Sequence, residues 1–196
     1  MNNLGWSKEK AQRIEASYHE LYVVSDQWVA SQIKQACSDG YVTAAFGLRV
    51  RTPLLAQVVL GTSRTPYEAE AEGRTAGNAL GQSWGLLNSR SSMAFMKTVR
   101  AHAEYREAIR PCAQIHDAAY FIVKNDSLLL EWMNRELVKE VEWQNDPLIW
   151  HDEVKLGGEL SVFYPSWADE MVIPNGASEQ QIIDLSVAHL QPKPEK

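Results

Sequence analysis

The chain has 196 residues, 45% hydrophobic and 22% charged, with seven tryptophans, which excludes an intrinsically disordered chain and allows one sizeable core with a small second lobe. A formal net charge of -6 argues against a surface uniformly built for a polyanion. The charge is uneven, however: residues 41–110 hold nine Lys and Arg against five Asp and Glu, +4, leaving -10 for the rest, so a local anionic contact in the middle remains open, although such unevenness is also common.

At the N-terminus, MNNLGWSKEK lacks the apolar region of a signal peptide, and no apolar run in the chain approaches the roughly 20 residues of a membrane span. A cytoplasmic protein without a membrane partner is therefore expected. Ser7 is placed to cap a first helix in which Ala11, Ile14, Tyr18, Leu21, Trp28 and Ile33 recur at helical spacing until SDG at 38–40, a length that implies a projecting arm or a bend. GYVTAAFGLRVRTP then reads as a hairpin turning at Phe46-Gly47 and ended by Pro53, with Arg49 and Arg51 on one face, where solvated arginines are also common. Thr65-Pro66-Tyr67-Glu68 is a capping box that starts a helix running to about Leu87. A further helix, SMAFMKTVRAHAEYREAI, ends before Pro111.

Beyond it, QIHDAAYFIVKND offers two short strands, Cys112 to Ile115 and Ala118 to Val123, flanking His116-Asp117. SLLLEWMNRELVKEV is an amphipathic helix, Val154 to Tyr164 a strand interrupted at Gly157-Gly158, and Ser178-x-x-Gln181 a cap for one short helix before a fraying QPKPEK tail. Cys37 and Cys112 stand in unrelated contexts, which favours two buried free thiols over a disulfide framework or a zinc site. The expected architecture is α+β: long helices packed on a small antiparallel sheet built from the strands around Gln114–Val123 and Val154–Tyr164.

Three features bear on chemistry. Gly73, Gly77, Gly81 and Gly85 recur every four residues; four glycines on one helical ridge cost roughly 4 kcal/mol relative to alanine, so something must come close, whether a packed element or a ligand backbone. Beside that ridge, Arg74, Asn78 and Gln82 repeat at the same spacing. All three side chains can donate to the minor-groove acceptors that every base pair presents alike, as a protein gripping DNA without reading its sequence requires; an ordinary solvated face looks the same. Finally, His116-Asp117 sits where two strands turn, which suits a carboxylate binding a divalent metal beside a histidine reaching phosphate or sugar, and equally suits a plain structural turn. An HD-type phosphohydrolase would need further histidines and aspartates, and His19, His102, His151 and His189 supply no such pattern.

Taken in order, KAQRIEASYHELY, DGYVTAAFGLRVRTP, EGRTAGNALGQS and QIHDAAYF resemble successive elements in the C-terminal third of family A DNA polymerases, the bacterial polymerase I type, and especially their phage relatives. The resemblance covers residues 5–165. It implies a palm with part of the fingers, divided as a fingers-side helix and hairpin at 1–52, a palm portion at 53–175 and a C-terminal helix and tail at 176–196. It implies that Asp117 is one of two aspartates holding catalytic Mg2+, that His116 lies near the primer terminus, and that Arg74, Asn78, Gln82, Gln114 and His116 contact primer-template DNA while deoxynucleoside triphosphates are the substrates. Where the family commonly has His-Asp-Glu, this chain has His116-Asp117-Ala118. The family's first aspartate and its nucleotide-binding fingers helix lie upstream of this region, so the expected function is that of a split DNA polymerase subunit, inactive until an upstream polypeptide completes it. The alternative is a catalytically inactive DNA-binding remnant.

Overall fold

A computed structural model describes residues 5–59, 66–147 and 149–191 of the chain. It is of mixed α+β class, with helices and short antiparallel two-stranded sheets, and it divides into two compact units, Met1–Ser83 and Trp84–Lys196. No helix among the described residues is long and apolar enough to cross a membrane.

The first unit opens with α1 (Lys8–Leu21), capped by the Ser7 hydroxyl, which accepts from the Lys10 N–H. In the same turn, Glu9 is held below the usual carboxylate range by its backbone N–H and then by the Ser7 hydroxyl. The long first helix bends: Tyr22 leaves helical geometry and α2 (Val23–Asp39) follows, ending at Gly40 in the left-handed conformation. The hairpin comes next, β1 (Tyr41–Thr43) and β2 (Arg49–Arg51) pairing Val42 with Val50, with Phe46 and Gly47 at positive φ in the turn. Arg49 and Arg51 are both exposed, as their alternation predicts. α3 (Leu55–Val59) and α4 (Pro66–Gly81) complete this unit, but Thr65, the expected cap of α4, lies outside the described residues. The core is small: Ala36 and Val42 pack with Leu55, Ala76 and Leu80. α1 has no buried residue, and Ile14, Tyr18, Leu21, Val24 and Trp28 are exposed.

The second unit opens with a helix that starts earlier than the sequence suggests. The chain leaves helical conformation at Gln82–Ser83, where the Ser83 hydroxyl donates to the Leu80 carbonyl, and α5 (Trp84–Ala101) absorbs the stretch read as a separate later helix. Its last turn is broken at His102 before the short α6 (Ala103–Arg106). β3 (Ile109–Ile115) and β4 (Ala118–Val123) form a hairpin with a bulge between Pro111 and Ala113, a tolerated place for a proline that cannot donate. α7 (Ser127–Val141), capped by Asp126, is the central element of this unit. One of its faces contributes Leu129 and Met133 to a core with Phe95, Val99 and Ile109, while its Leu130 packs on a second cluster of Met171, Ile173, Ala177 and Ile182.

Only Leu160–Phe163 of the long strand expected at Val154–Tyr164 is a strand, β5, and it pairs with β6 (Glu170–Ile173), which sequence reading missed. The expected single sheet is not formed. Among the described residues the ladders are three separate pairs, β1 with β2, β3 with β4 and β5 with β6. The final helix, α8 (Glu179–His189), has the Ser178/Gln181 capping box, while residues 192–196 of the tail lie outside the described part. The two cysteines are free thiols, but only Cys37 is half-buried; Cys112, at the bulge, is exposed rather than buried.

Candidate functional site

Each unit carries one of the two sets of candidate residues. In the first, α4 places Arg74, Asn78 and Gln82 on one exposed face. Gln82 lies one residue past the end of α4, yet its N–H still donates to the Asn78 carbonyl at 2.8 Å, so the stripe keeps its helical register. Arg74 is not idle. Its Nη1 meets Glu70 Oε1 at 2.6 Å, an exposed pair one helical turn apart whose spacing was readable in the sequence. Such a solvent-exposed pair contributes little, and an anionic ligand competes with it easily.

The glycine ridge is less uniform than its spacing suggests. A Cβ on Gly73 would meet Leu55 Cδ1 at 3.1 Å, so packing against α3 explains that position. At Gly77 and Gly81 no described atom beyond the chain neighbours and the helix's own backbone lies within 4 Å of such a Cβ, and Gly85 belongs to α5, beyond the helix break. Internal packing among the described residues therefore accounts for one glycine and not for Gly77 or Gly81.

Behind Gly73, the Glu72 carboxylate accepts from the Leu54 and Leu55 N–H groups at 2.7 and 2.6 Å. A carboxylate at the start of a short helix satisfies donors that have no intrahelical partner, and it ties α3 to α4 beneath the stripe.

In the second unit the β3–β4 ladder closes Ile115 against Ala118, leaving His116 and Asp117 as a two-residue turn. His116 has φ 52°, a left-handed conformation that primed hairpin turns demand at their first central position and that costs a non-glycine residue energy. Both side chains are exposed. Strain of this kind concentrates where a side chain must be presented in one direction. Gln114, two residues before the turn, is exposed and steered by α5: its Nε2 donates to Ser89 Oγ at 2.8 Å. Beside it opens a cleft of about 290 Å³ between α5 and the hairpin, with Met96, Cys112 and Phe121 among its walls.

The donor set for a metal is one carboxylate. Among the described residues no group of three His, Cys, Asp or Glu side chains gathers, and Ala118 brings no ligand beside Asp117. Asp117 is a lone exposed carboxylate, and a divalent cation there would need its remaining ligands from elsewhere. Sequence reasoning located the turn and the stripe; it missed Glu72 and Ser89, whose partners are distant in sequence and carry no motif.

A scan against protein-family models and a search of curated proteins both return no match.

Proposed function

We propose that this chain is the C-terminal part of a family A DNA polymerase, acting as a subunit that an upstream polypeptide completes. The observation that carries the reading is the hairpin that presents His116 and Asp117 at an exposed two-residue turn, with His116 held at positive φ. Its support is the stripe Arg74, Asn78 and Gln82, exposed on one face of α4 in the order the resemblance requires.

In this reading Asp117 supplies one metal-binding carboxylate, and the second comes from the partner. Magnesium, when bound, supplies the charge neutralisation for in-line attack of a primer 3'-hydroxyl on the α-phosphate of a deoxynucleoside triphosphate. The chain's own residues position the DNA. Arg74, Asn78 and Gln82 donate to acceptors that all base pairs share, so grip is independent of sequence. Glycines 77 and 81 keep the adjacent ridge flat enough for a backbone to approach. Gln114, oriented by Ser89, and His116 lie along the hairpin toward the primer terminus.

The exposed apolar face of α1 and α2, with Tyr18, Leu21 and Trp28, is where a fingers-side partner would cover this chain. Ala118, where the family commonly has Glu, supports a second reading, a DNA-binding remnant without chemistry.

The test is binding of a primer-template duplex by the full chain. Arg74→Ala and Gln82→Ala together should weaken binding about tenfold or more and flatten its salt dependence. Equal affinity of variant and parent would remove the stripe from the interface and the polymerase reading with it.

A further inference from the structure

We propose that His151 is a proton-operated clip on the connection between α7 and β5, closed while its imidazole is neutral and opened when the ring takes up a proton. The Glu153 N–H donates to His151 Nδ1 at 3.1 Å and the Val154 N–H donates to the same atom at 2.9 Å. An imidazole nitrogen accepts a hydrogen bond only when it carries no hydrogen, so these two bonds assign the neutral ring with its hydrogen on Nε2.

The Asp152 carboxylate competes for that atom. Its Oδ1 stands 3.4 Å from Nδ1, farther than either amide nitrogen. In the neutral ring this approach brings two acceptors together and forms no bond. A proton from solvent on Nδ1 reverses the roles: both ring nitrogens become donors, the two N–H groups lose their acceptor, and the Asp152 carboxylate gains an ion pair. The closed clip has no room for the proton that the open form binds, so falling pH favours opening. Histidine is the side chain that ordinarily makes this change between about pH 5 and 8. Of the other charged groups on the stretch, Glu153 is exposed, and Lys155 Nζ meets Glu142 Oε2 at 3.4 Å.

The clip is fastened to the chain leaving α7. Gln144 Oε1 accepts from the His151 N–H at 3.2 Å, and its Nε2 donates to the Val154 carbonyl at 2.7 Å. Farther on, Gly158 lies against α7, where an added Cβ would meet Val141 Cγ1 at 3.1 Å, and its carbonyl accepts from Asn175 Nδ2 at 2.8 Å. Leu160 follows, packed on both clusters of this unit. Opening is thus confined to the few residues between Gln144 and Gly158, a local event rather than unfolding of the unit. None of these groups belongs to the stripe or to the His116-Asp117 turn, so the clip stands or falls separately from the polymerase reading.

The experiment is heteronuclear NMR of the full chain titrated from pH 8 to pH 5, reading the His151 ring nitrogens and the hydrogen exchange of the Glu153 and Val154 amides, corrected for intrinsic rates. At pH 8 the ring should carry its hydrogen on Nε2. On acidification the protection of both amides should fall about tenfold, while that of Met133 in α7 stays constant. His151→Asn supplies an Oδ1 acceptor that does not titrate, so it should keep both amides protected across the whole range. His151→Ala should leave them unprotected throughout. A hydrogen on Nδ1 at pH 8 overturns the proposal, as does protection in the parent that ignores pH or falls equally at Met133. An equal fall in His151→Asn would also overturn it, assigning the change to a carboxylate, and so would full protection in His151→Ala.

Discussion

Asn134, fully buried in α7, holds the backbone at Gly176 through its side-chain amide: Asn134 Oδ1 accepts from the Gly176 N–H at 3.0 Å. The same amide donates from Nδ2 to the carbonyls of Ile173 and Pro174 at 3.3 and 3.2 Å. One side chain thus satisfies three backbone groups of the turn that follows β6, where Gly176 has φ 75°. Asn134→Leu strands those groups in a core and should cost about 3 kcal/mol. Asn134→Asp keeps the shape but removes the donors and buries charge, so it should cost at least as much. Chemical denaturation of the chain checks both; a loss below about 1 kcal/mol for either would contradict this role.

Gly77 separates stability from binding. Alanine at an interior helical position with no described atom near its Cβ should stabilise the chain by about 0.5–1 kcal/mol. If DNA approaches the ridge, the same methyl group should weaken duplex affinity. A Gly77→Ala variant that melts higher and binds duplex less well is the expected result. Higher stability with unchanged binding would make the glycine a tolerated helix flaw.

Glu72 joins α3 to α4, and Glu72→Ala leaves the Leu54 and Leu55 N–H groups without their acceptor. Stability should fall by about 1–2 kcal/mol. Amide exchange at Leu54 and Leu55 should quicken more than at Val42 in the same core, and uniform quickening would contradict a local tether.

His116→Gly tests whether the strained turn serves presentation. Glycine adopts φ 52° without cost, so the variant should be more stable by about 0.5–1 kcal/mol while lacking the imidazole. In the proposed polymerase, nucleotidyl transfer should fall while the hairpin persists. A stabilised variant with full activity would leave His116 as a turn residue alone.

What could be read from the sequence was local. The Ser178–Gln181 capping box, the bend in the first helix, the Phe46-Gly47 turn and the His116-Asp117 turn each depend on residues within a few positions of one another, where propensity and turn chemistry operate. The failures are tertiary. α5 continues through Arg90 and Ser91 because those side chains close the end of α7: Arg90 Nη2 meets Glu140 Oε2 at 2.7 Å and lies over the Trp143 ring, and Ser91 Oγ donates to the Glu140 carbonyl. No local pattern announces partners 50 residues away. β6 is only four residues long and exists through its pairing with β5, so periodicity had little to act on. For the candidate site, spacing disclosed the stripe and the turn, whereas the Ser89 contact that aims Gln114 arises from the fold.

The central claim is tested most directly by primer extension with magnesium, using this chain alone, a polypeptide carrying the family's upstream aspartate and fingers helix alone, and the two mixed. Extension in the mixture alone, abolished by Asp117→Ala without loss of folded structure, is the predicted result. A mixture of folded chains that binds primer-template and never extends it, or extension that survives Asp117→Ala, would contradict the assignment of Asp117 as a ligand of the catalytic metal.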